Sequence, residues 1–202
     1  PVGHTGLEGN KNLDLKKVLT GLKPILEDEK IKKIGQNAKF DVMVFRQLGV
    51  ELKGISFDSM IASYLLNPSI RQHNLDNLAL KYLDHKMIPI EDLIGSGKNQ
   101  KSFAEVPIDK ATIYSCEDAD FTYRLKEILF PQLKELELKK LFYEVEIPLI
   151  QVLAEMELAG VSIDLKILKE VSKYLEKEIE KYTKEIFEIA GQEFNLNSPQ
   201  QL

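Results

Sequence analysis

Two residues of a helical stretch, Tyr114 and Asp118, have the types and the spacing to act together in catalysis. They are four residues apart, so they share one face of the helix. Phe121 and Leu125 mark the neighbouring apolar stripe, which places Asp118 at the edge of a buried face. A carboxylate there is costly unless it is paired, hydrogen-bonded or metal-bound. A structural and a functional role for Asp118 are therefore equally open on this evidence.

A second acidic candidate, Asp41, falls in the first turn of a helix predicted over residues 38–48. The polar residues Gln36, Asn37 and Lys39 lie between a short apolar run and this helix. They are either turn and cap residues or groups that hold something charged. Because acidic residues are favoured in first turns by the helix dipole, a structural role for Asp41 is the simpler interpretation.

Other reactive groups give weaker signals. The loop at residues 94–100 has two glycines and a lysine but lacks the spacing of a nucleotide-binding P-loop. His73 and His85 have no metal-ligand partner at a useful spacing, which favours surface or helix-end roles. Cys116 is interpreted as a thiol that packs in the core. The neighbouring Glu117 is predicted to be solvated.

Carboxylates are the chemistry that remains, since no ordered Ser-His-Asp set and no zinc-ligand cluster stands out in the sequence. Carboxylates without an activated nucleophile favour a metal-ion mechanism. Two metal ions about 3.5–4 Å apart can clamp the attacking and leaving oxygens of a phosphodiester.

Composition limits the class of protein. The chain has 202 residues, of which 44% are hydrophobic, and a net charge of -5. It lacks the basic excess of a general nucleic-acid binder, although a local basic face or a metal ion could serve instead. One cysteine excludes an intramolecular disulfide and fits a reducing cytoplasm. No apolar run is long enough for a transmembrane helix, so no membrane partner is expected.

The elements that must position these residues follow from periodicity. Short strands and helices alternate between residues 14 and 66, which predicts an α/β fold class. Residues 1–13 are predicted to be a loop, and residues 85–106 to be irregular. From residue 133 the pattern is almost purely helical, with a domain boundary expected between 131 and 162. The predicted strands are 31–35 and 52–57, and the predicted helices are 14–26, 38–48, 58–66, 75–83, 108–129, 142–158 and 165–190.

Four segments in this order resemble the bacterial family A DNA polymerases: residues 35–41, 57–67, 114–125 and 193–202. The first three resemble motifs of the DEDDy 3′–5′ exonuclease domain, and the last resembles the entry to the polymerase thumb. The resemblance implies a ribonuclease H-like exonuclease domain over residues 1–135, incomplete at its N-terminus. Residues 136–202 would then be linker helices and the all-helical start of the thumb.

The resemblance also implies roles for matching positions. Asp118 would ligate the first of two metal ions, and Asp41 would serve the second, largely through water. Tyr114 would help to orient the attacking water. Gln36 and Asn37 would line the cleft for the single strand. The metal would be Mg²⁺, with Mn²⁺ or Zn²⁺ as alternatives.

The partner implied by the resemblance is DNA, as a single-stranded 3′ end or a primer-template, and the reaction is hydrolysis of the 3′-terminal phosphodiester in the bacterial cytoplasm. Deoxynucleoside triphosphates would bind only through a polymerase domain that this sequence lacks. Cationic residues in or near loops expected to line the cleft are candidate phosphate contacts: Lys39, Arg71, Lys98 and Lys101.

One departure from the family pattern matters. The family's first motif, a DxE pair, is not found before Asp41, so two of four expected acidic ligands are present. We therefore expect a fragment of a larger protein that is inactive by itself. A non-catalytic scaffold domain and a related DEDDy ribonuclease are the alternatives. The presence of Tyr114 and Asp118 favours a catalytic parent, and the segment 133–202 favours a polymerase over a ribonuclease.

Overall fold

The computed structural model describes residues 1–5 and 12–201, without the side chain of Asn99. Part of the predicted N-terminal loop, residues 6–11, lies outside this description. The described residues form mostly helices and one two-stranded parallel sheet. The strands are β1 (Lys33–Gly35) and β2 (Ile55–Asp58). The helices are α1 (Leu15–Leu26), α2 (Ala38–Gln47), α3 (Ser59–Leu66), α4 (Leu75–Leu83), α5 (Ile90–Ile94), α6 (Ile108–Glu135), α7 (Lys139–Leu141), α8 (Ile147–Ala159) and α9 (Leu165–Ala190).

Shorter helical turns complete the chain trace. Two 3₁₀ turns, at Gly97–Asn99 and Phe103–Glu105, and the short α5 interrupt the region predicted to be irregular. A π-helical turn at Phe142–Glu146 joins α7 to α8. Most predicted helices are confirmed within two residues at each end, which is the ordinary uncertainty of a helix boundary.

The sheet pairs β1 with β2 in parallel, with α2 as the connection between them. Ile34 lies opposite Phe57 and Gly35 opposite Asp58. The sequence predicted that the second strand begins at residue 52, but in the structure it begins at Ile55. Gly54 causes the difference: its φ of +73° breaks the extended backbone, and a Cβ there would lie within 3.2 Å of the backbone carbonyl oxygens of Asp28, Glu29 and Ile31.

The main core lies where α6 crosses the sheet and α3. Leu125, Leu129 and Leu133 of α6 are fully buried with Phe57 and Phe142. The prediction that α6 ends at Pro131 is wrong, because the helix continues to Glu135 with this proline inside it. Burial of leucines on both sides of Pro131 offsets the lost hydrogen bond and the ring clash, which together cost about 3 kcal/mol.

The chain divides into two compact units, Pro1–Ala159 and Gly160–Leu202. In the first unit, α8 packs on α2 through Ile150 and Ala154. Because of this packing, the first compact unit extends beyond residue 135, where the sequence-based exonuclease domain was predicted to end. The boundary predicted at 135/136, between an exonuclease domain and the start of a polymerase thumb, stays a prediction. The second unit contains α9, whose apolar stripe is exposed and which has no buried residue. Within the described residues, no helix has the length and apolarity needed to cross a bilayer.

Candidate active site

A cavity of about 510 Å³ gathers the three candidate catalytic residues, Asp41, Tyr114 and Asp118. Its walls are the end of β1, the first turn of α2, the start of α4 and one face of α6. The full lining is Ile34, Gly35, Gln36, Asp41, Leu75, Asp76, Tyr114, Ser115, Asp118, Ala119, Thr122 and Tyr123. Asp41 and Tyr114 therefore line the same cavity, although they are 73 positions apart in the sequence.

The wall formed by α2 is held by Asp58, the last residue of β2. Its carboxylate accepts hydrogen bonds from the backbone N–H groups of Asn37 (3.3 Å) and Ala38 (2.7 Å), at the start of α2. It also accepts from Met60 (2.9 Å) and Ile61 (3.1 Å), at the start of α3. One side chain, only 1% exposed, thus caps two helices and sets where α2 begins.

The polar residues before α2 are partly structural. Gln36 uses both ends of its amide: it donates to the carbonyl of His73 (2.7 Å) and accepts from the hydroxyl of Ser59. Asn37 is held in the left-handed region, at φ 57°, and its side chain makes no cap hydrogen bond. The Asn37 side-chain amide is therefore more available to a ligand than that of Gln36, which is hydrogen-bonded at both ends.

The wall formed by α6 carries Tyr114 and Asp118 one turn apart. Burial, the charge of Asp118 and a hydrogen bond to that carboxylate together raise the pKa of Tyr114 to about 12. The hydroxyl is therefore a neutral donor over the physiological pH range. The Tyr114 ring also packs against Phe103, with ring centroids 5.9 Å apart.

Burial and neighbouring carboxylates disfavour the charged forms of Asp118 and Asp41. Burial raises the pKa of Asp118, and the charges of Asp76 and Glu117 raise it further. Partial desolvation by the surrounding protein raises the pKa of Asp41 although the residue is exposed, and the charge of Asp58 adds to this effect. A cation held by Asp41 or by Asp118 would favour the charged form of that carboxylate and so oppose the rise in its pKa.

Sequence reasoning missed Asp76, which lines the same cavity. It lies in the first turn of α4, which Asn74 caps by accepting from the Asn77 N–H at 3.2 Å. The signal available in the sequence was this N-cap, but it gives no indication that the start of α4 faces α6.

A second cavity, of about 560 Å³, brings together three of the predicted DNA-binding residues, Gln36, Asn37 and Arg71. It is mostly apolar and shares Gln36 and Leu75 with the first cavity. His73 also lines it; its Nδ1 meets the Ser63 hydroxyl at 2.8 Å, and its Nε2 is buried without a hydrogen-bond partner among the described residues.

The other three predicted phosphate contacts lie elsewhere. Lys39 forms an ion pair with Glu157 of α8 and lines neither of these two cavities. Lys98 and Lys101 are exposed and belong to the segment between α5 and α6, outside both cavity linings. Their assignment as DNA contacts stays a prediction.

Two predictions about the neighbours of Asp118 are wrong. Cys116 is exposed rather than packed in the core, because it faces away from the apolar stripe of α6. Glu117 is not solvated: its side chain is 13% exposed and is hydrogen-bonded to His85 and to the backbone of Ile88. The loop that carries His85 folds back over α6, which sequence spacing does not reveal.

The described residues do not complete a metal site. Asp41 and Asp118 share a cavity, but no group of three or more His, Cys, Asp or Glu residues within 1–5 and 12–201 could hold a metal ion. A centre with two ions needs more oxygen ligands than these two side chains supply. The residues present therefore fit a two-metal centre only in part.

Comparison with known proteins points to one family. A profile of the 3′–5′ exonuclease family matches residues 9–134. The DNA polymerase I of Pseudomonas aeruginosa is 38% identical over 205 residues, covering 100% of this chain and 22% of that protein. The DNA polymerase I of Borreliella burgdorferi is 45% identical over 171 residues, covering 85% of this chain and 18% of that protein. The chain thus spans about a fifth of the length of these relatives.

Solved structures give the same picture of the fold. The polymerase domain of Pol1 from M. smegmatis, in complex with DNA primer-template and dNTP, aligns with a TM-score of 0.71 at 23% identity, over 96% of this chain and 30% of that one. NrnC of Brucella melitensis aligns with a TM-score of 0.56 at 25% identity, over 75% of this chain and 66% of that one.

Proposed function

Because the chain belongs to the DNA polymerase I family and matches its 3′–5′ exonuclease domain over residues 9–134, we propose that it forms part of a proofreading site. The reaction is hydrolysis of the 3′-terminal phosphodiester of single-stranded DNA. One observation carries the proposal: Asp41, Tyr114 and Asp118 line one cavity although they come from two helices that are far apart in the sequence.

The roles of these residues follow from their chemistry. Tyr114 supplies a neutral hydroxyl beside Asp118, which can orient a water by a hydrogen bond. Asp118 and Asp41 supply carboxylate oxygens, the ligands that Mg²⁺ prefers, and Mn²⁺ or Zn²⁺ are alternatives. Asn37 and Arg71, together with Gln36, offer polar and cationic groups beside an apolar cavity that suits an unstacked strand.

We further propose that residues 1–202 are inactive by themselves. Support comes from the ligand count, since the described residues contain no cluster of three or more acidic or imidazole groups that could hold a metal ion. The complete exonuclease would be ribonuclease H-like and would lie next to a polymerase thumb that begins within residues 136–202. Primer-template DNA and dNTP would be bound by the parent polymerase, in the bacterial cytoplasm.

A chimera tests the proposal. Residues 1–202 replace the aligned 205-residue segment of the P. aeruginosa DNA polymerase I. We expect the chimera to digest a labelled single-stranded 3′ end in Mg²⁺, and the isolated chain not to. Asp118→Ala should abolish this digestion in the chimera and spare primer extension. Digestion that survives Asp118→Ala would refute the assigned role of Asp118.

A non-catalytic scaffold is the second candidate, and the incomplete ligand set favours it. The same chimera separates the two functions. A scaffold would give full primer extension and no digestion, even though its Asp41, Tyr114 and Asp118 are intact.

A further inference from the structure

Glu117 connects α6 to the loop that follows α4. Its Oε1 accepts a hydrogen bond from Nε2 of His85 at 2.8 Å, and its Oε2 accepts from the backbone N–H of Ile88 at 2.8 Å. The His85 ring stacks on Phe121, one turn further along α6, with centroids 4.1 Å apart and planes 23° from parallel. We call these contacts of Glu117, His85, Ile88 and Phe121 the Glu117 clasp.

The local backbone directs this loop toward α6. Asp84 ends α4 in the left-handed region, at φ 50°, and its N–H bonds back to Ala79. This turn places His85 over α6. Met87, 4% exposed, then packs with Ala79 and Phe121 below the clasp.

The position of the clasp matters for the active-site cavity. Helix α4 contributes Leu75 and Asp76 to one wall, and α6 contributes Tyr114 and Asp118 to the facing wall. The clasp joins the far end of α4 to α6 through Glu117, the residue that precedes Asp118 in the sequence. Hydrogen bonds to a carboxylate are among the stronger ones in proteins, so the clasp can resist separation of the two helices.

We propose that Glu117 is a positioning residue that sets the spacing of α4 and α6, and with it the width of the cavity that receives the DNA 3′ end. The role of Glu117 in setting the cavity width for DNA rests on the proposed function. Its role in setting the spacing of α4 and α6 concerns only the fold and is tested separately.

The variants Glu117→Ala and Glu117→Gln separate positioning from charge. Alanine removes both hydrogen bonds. Glutamine can keep both, because its oxygen accepts the Ile88 N–H and its NH₂ group can donate to a ring nitrogen of neutral His85. Glu127→Ala removes an exposed carboxylate of the same helix and is the matched control. Gly49→Ala, in the open turn that follows α2 and outside the clasp, controls for a general loss of stability.

Two measurements are made on the 202-residue chain: amide hydrogen exchange at Ile88, and affinity for a fluorescein-labelled oligo-dT with a free 3′ end. We expect Glu117→Ala to speed exchange at Ile88 about tenfold or more and to weaken oligo-dT binding several-fold. Glu117→Gln should stay within about twofold of the unsubstituted chain in both measurements, and so should the two controls.

Each other outcome is decisive. Unchanged exchange in Glu117→Ala would overturn the clasp itself. Faster exchange with unchanged oligo-dT affinity would overturn the positioning role. Equal losses in the alanine and glutamine variants would show that the charge acts, and not the hydrogen bonds. An unsubstituted chain that does not bind oligo-dT would refute DNA binding at this cavity, while exchange would still decide whether Glu117 joins α4 to α6.

Discussion

The Asp58 carboxylate accepts a hydrogen bond from the Ala38 N–H at 2.7 Å, although these residues are 20 positions apart in the sequence. Burial raises the pKa of Asp58, and the backbone N–H groups of Ala38, Ile61, Asn37 and Met60 oppose this rise by stabilising the charged form. This relationship couples the start of α2, and therefore Asp41, to the end of the sheet.

Asp58→Ala should lower the free energy of unfolding by at least about 3 kcal/mol, because four backbone donors at two helix starts lose their acceptor. Asp14→Ala is the control. It removes a single N-cap bond, from the exposed start of α1, and should cost about 1 kcal/mol. Urea unfolding followed by circular dichroism measures both. Equal losses would contradict the double cap.

Gly54→Ala should destabilise the protein more than Gly49→Ala. Both glycines have a φ of +73°, which costs an alanine about 1–2 kcal/mol. A Cβ at Gly54 would lie 2.7 Å from the carbonyl oxygen of Ile31, whereas at Gly49 it meets nothing within 4 Å. Overpacking should bring the cost at Gly54 to about 2–5 kcal/mol. Similar melting temperatures for the two variants would show that the turn around Gly54 can relax.

Asp118→Asn should raise stability at neutral pH. The folded-state pKa of Asp118 is raised, so its stabilising contribution is complete below the ordinary aspartate pKa and is lost as pH rises through the folded pKa. Removing the charge should therefore gain up to about 1 kcal/mol at pH 7, a modest value because solvent screens a partly exposed group. The gain should disappear as pH falls below the ordinary pKa. Unfolding measured from pH 3 to pH 8 checks this, and a gain that persists at pH 3 would point to packing instead.

Glu157→Gln should strengthen binding of single-stranded DNA if Lys39 contacts phosphate, because the ion pair with Glu157 then no longer competes. We expect a two- to fivefold gain at low salt, and Lys39→Gln should reduce the log–log salt slope by about 0.7. Glu155→Gln makes the same charge change on α8, next to Arg46, and is the control. An unchanged slope in Lys39→Gln would remove Lys39 from the DNA-binding residues.

Local features of this protein were predictable from the sequence. Helix α1 has Asp14 as its N-cap and α4 has Asn74, and both are residue types that are favoured at this position. The shared face of Tyr114 and Asp118 follows from a spacing of four in any helix. The order of the family motifs was also sufficient to predict the family, because such motifs are read along the chain.

Contacts between distant residues were decided only by tertiary structure. Asp58 looked like the start of a helix, yet it caps two helices because parallel pairing brings β2 beside the end of β1. Asp76 lines the cavity, and Glu117 is shielded from solvent, because α4 and the loop that follows it pack on α6. Periodicity records which face of a helix is apolar, but which element covers that face depends on contacts between residues far apart in the chain.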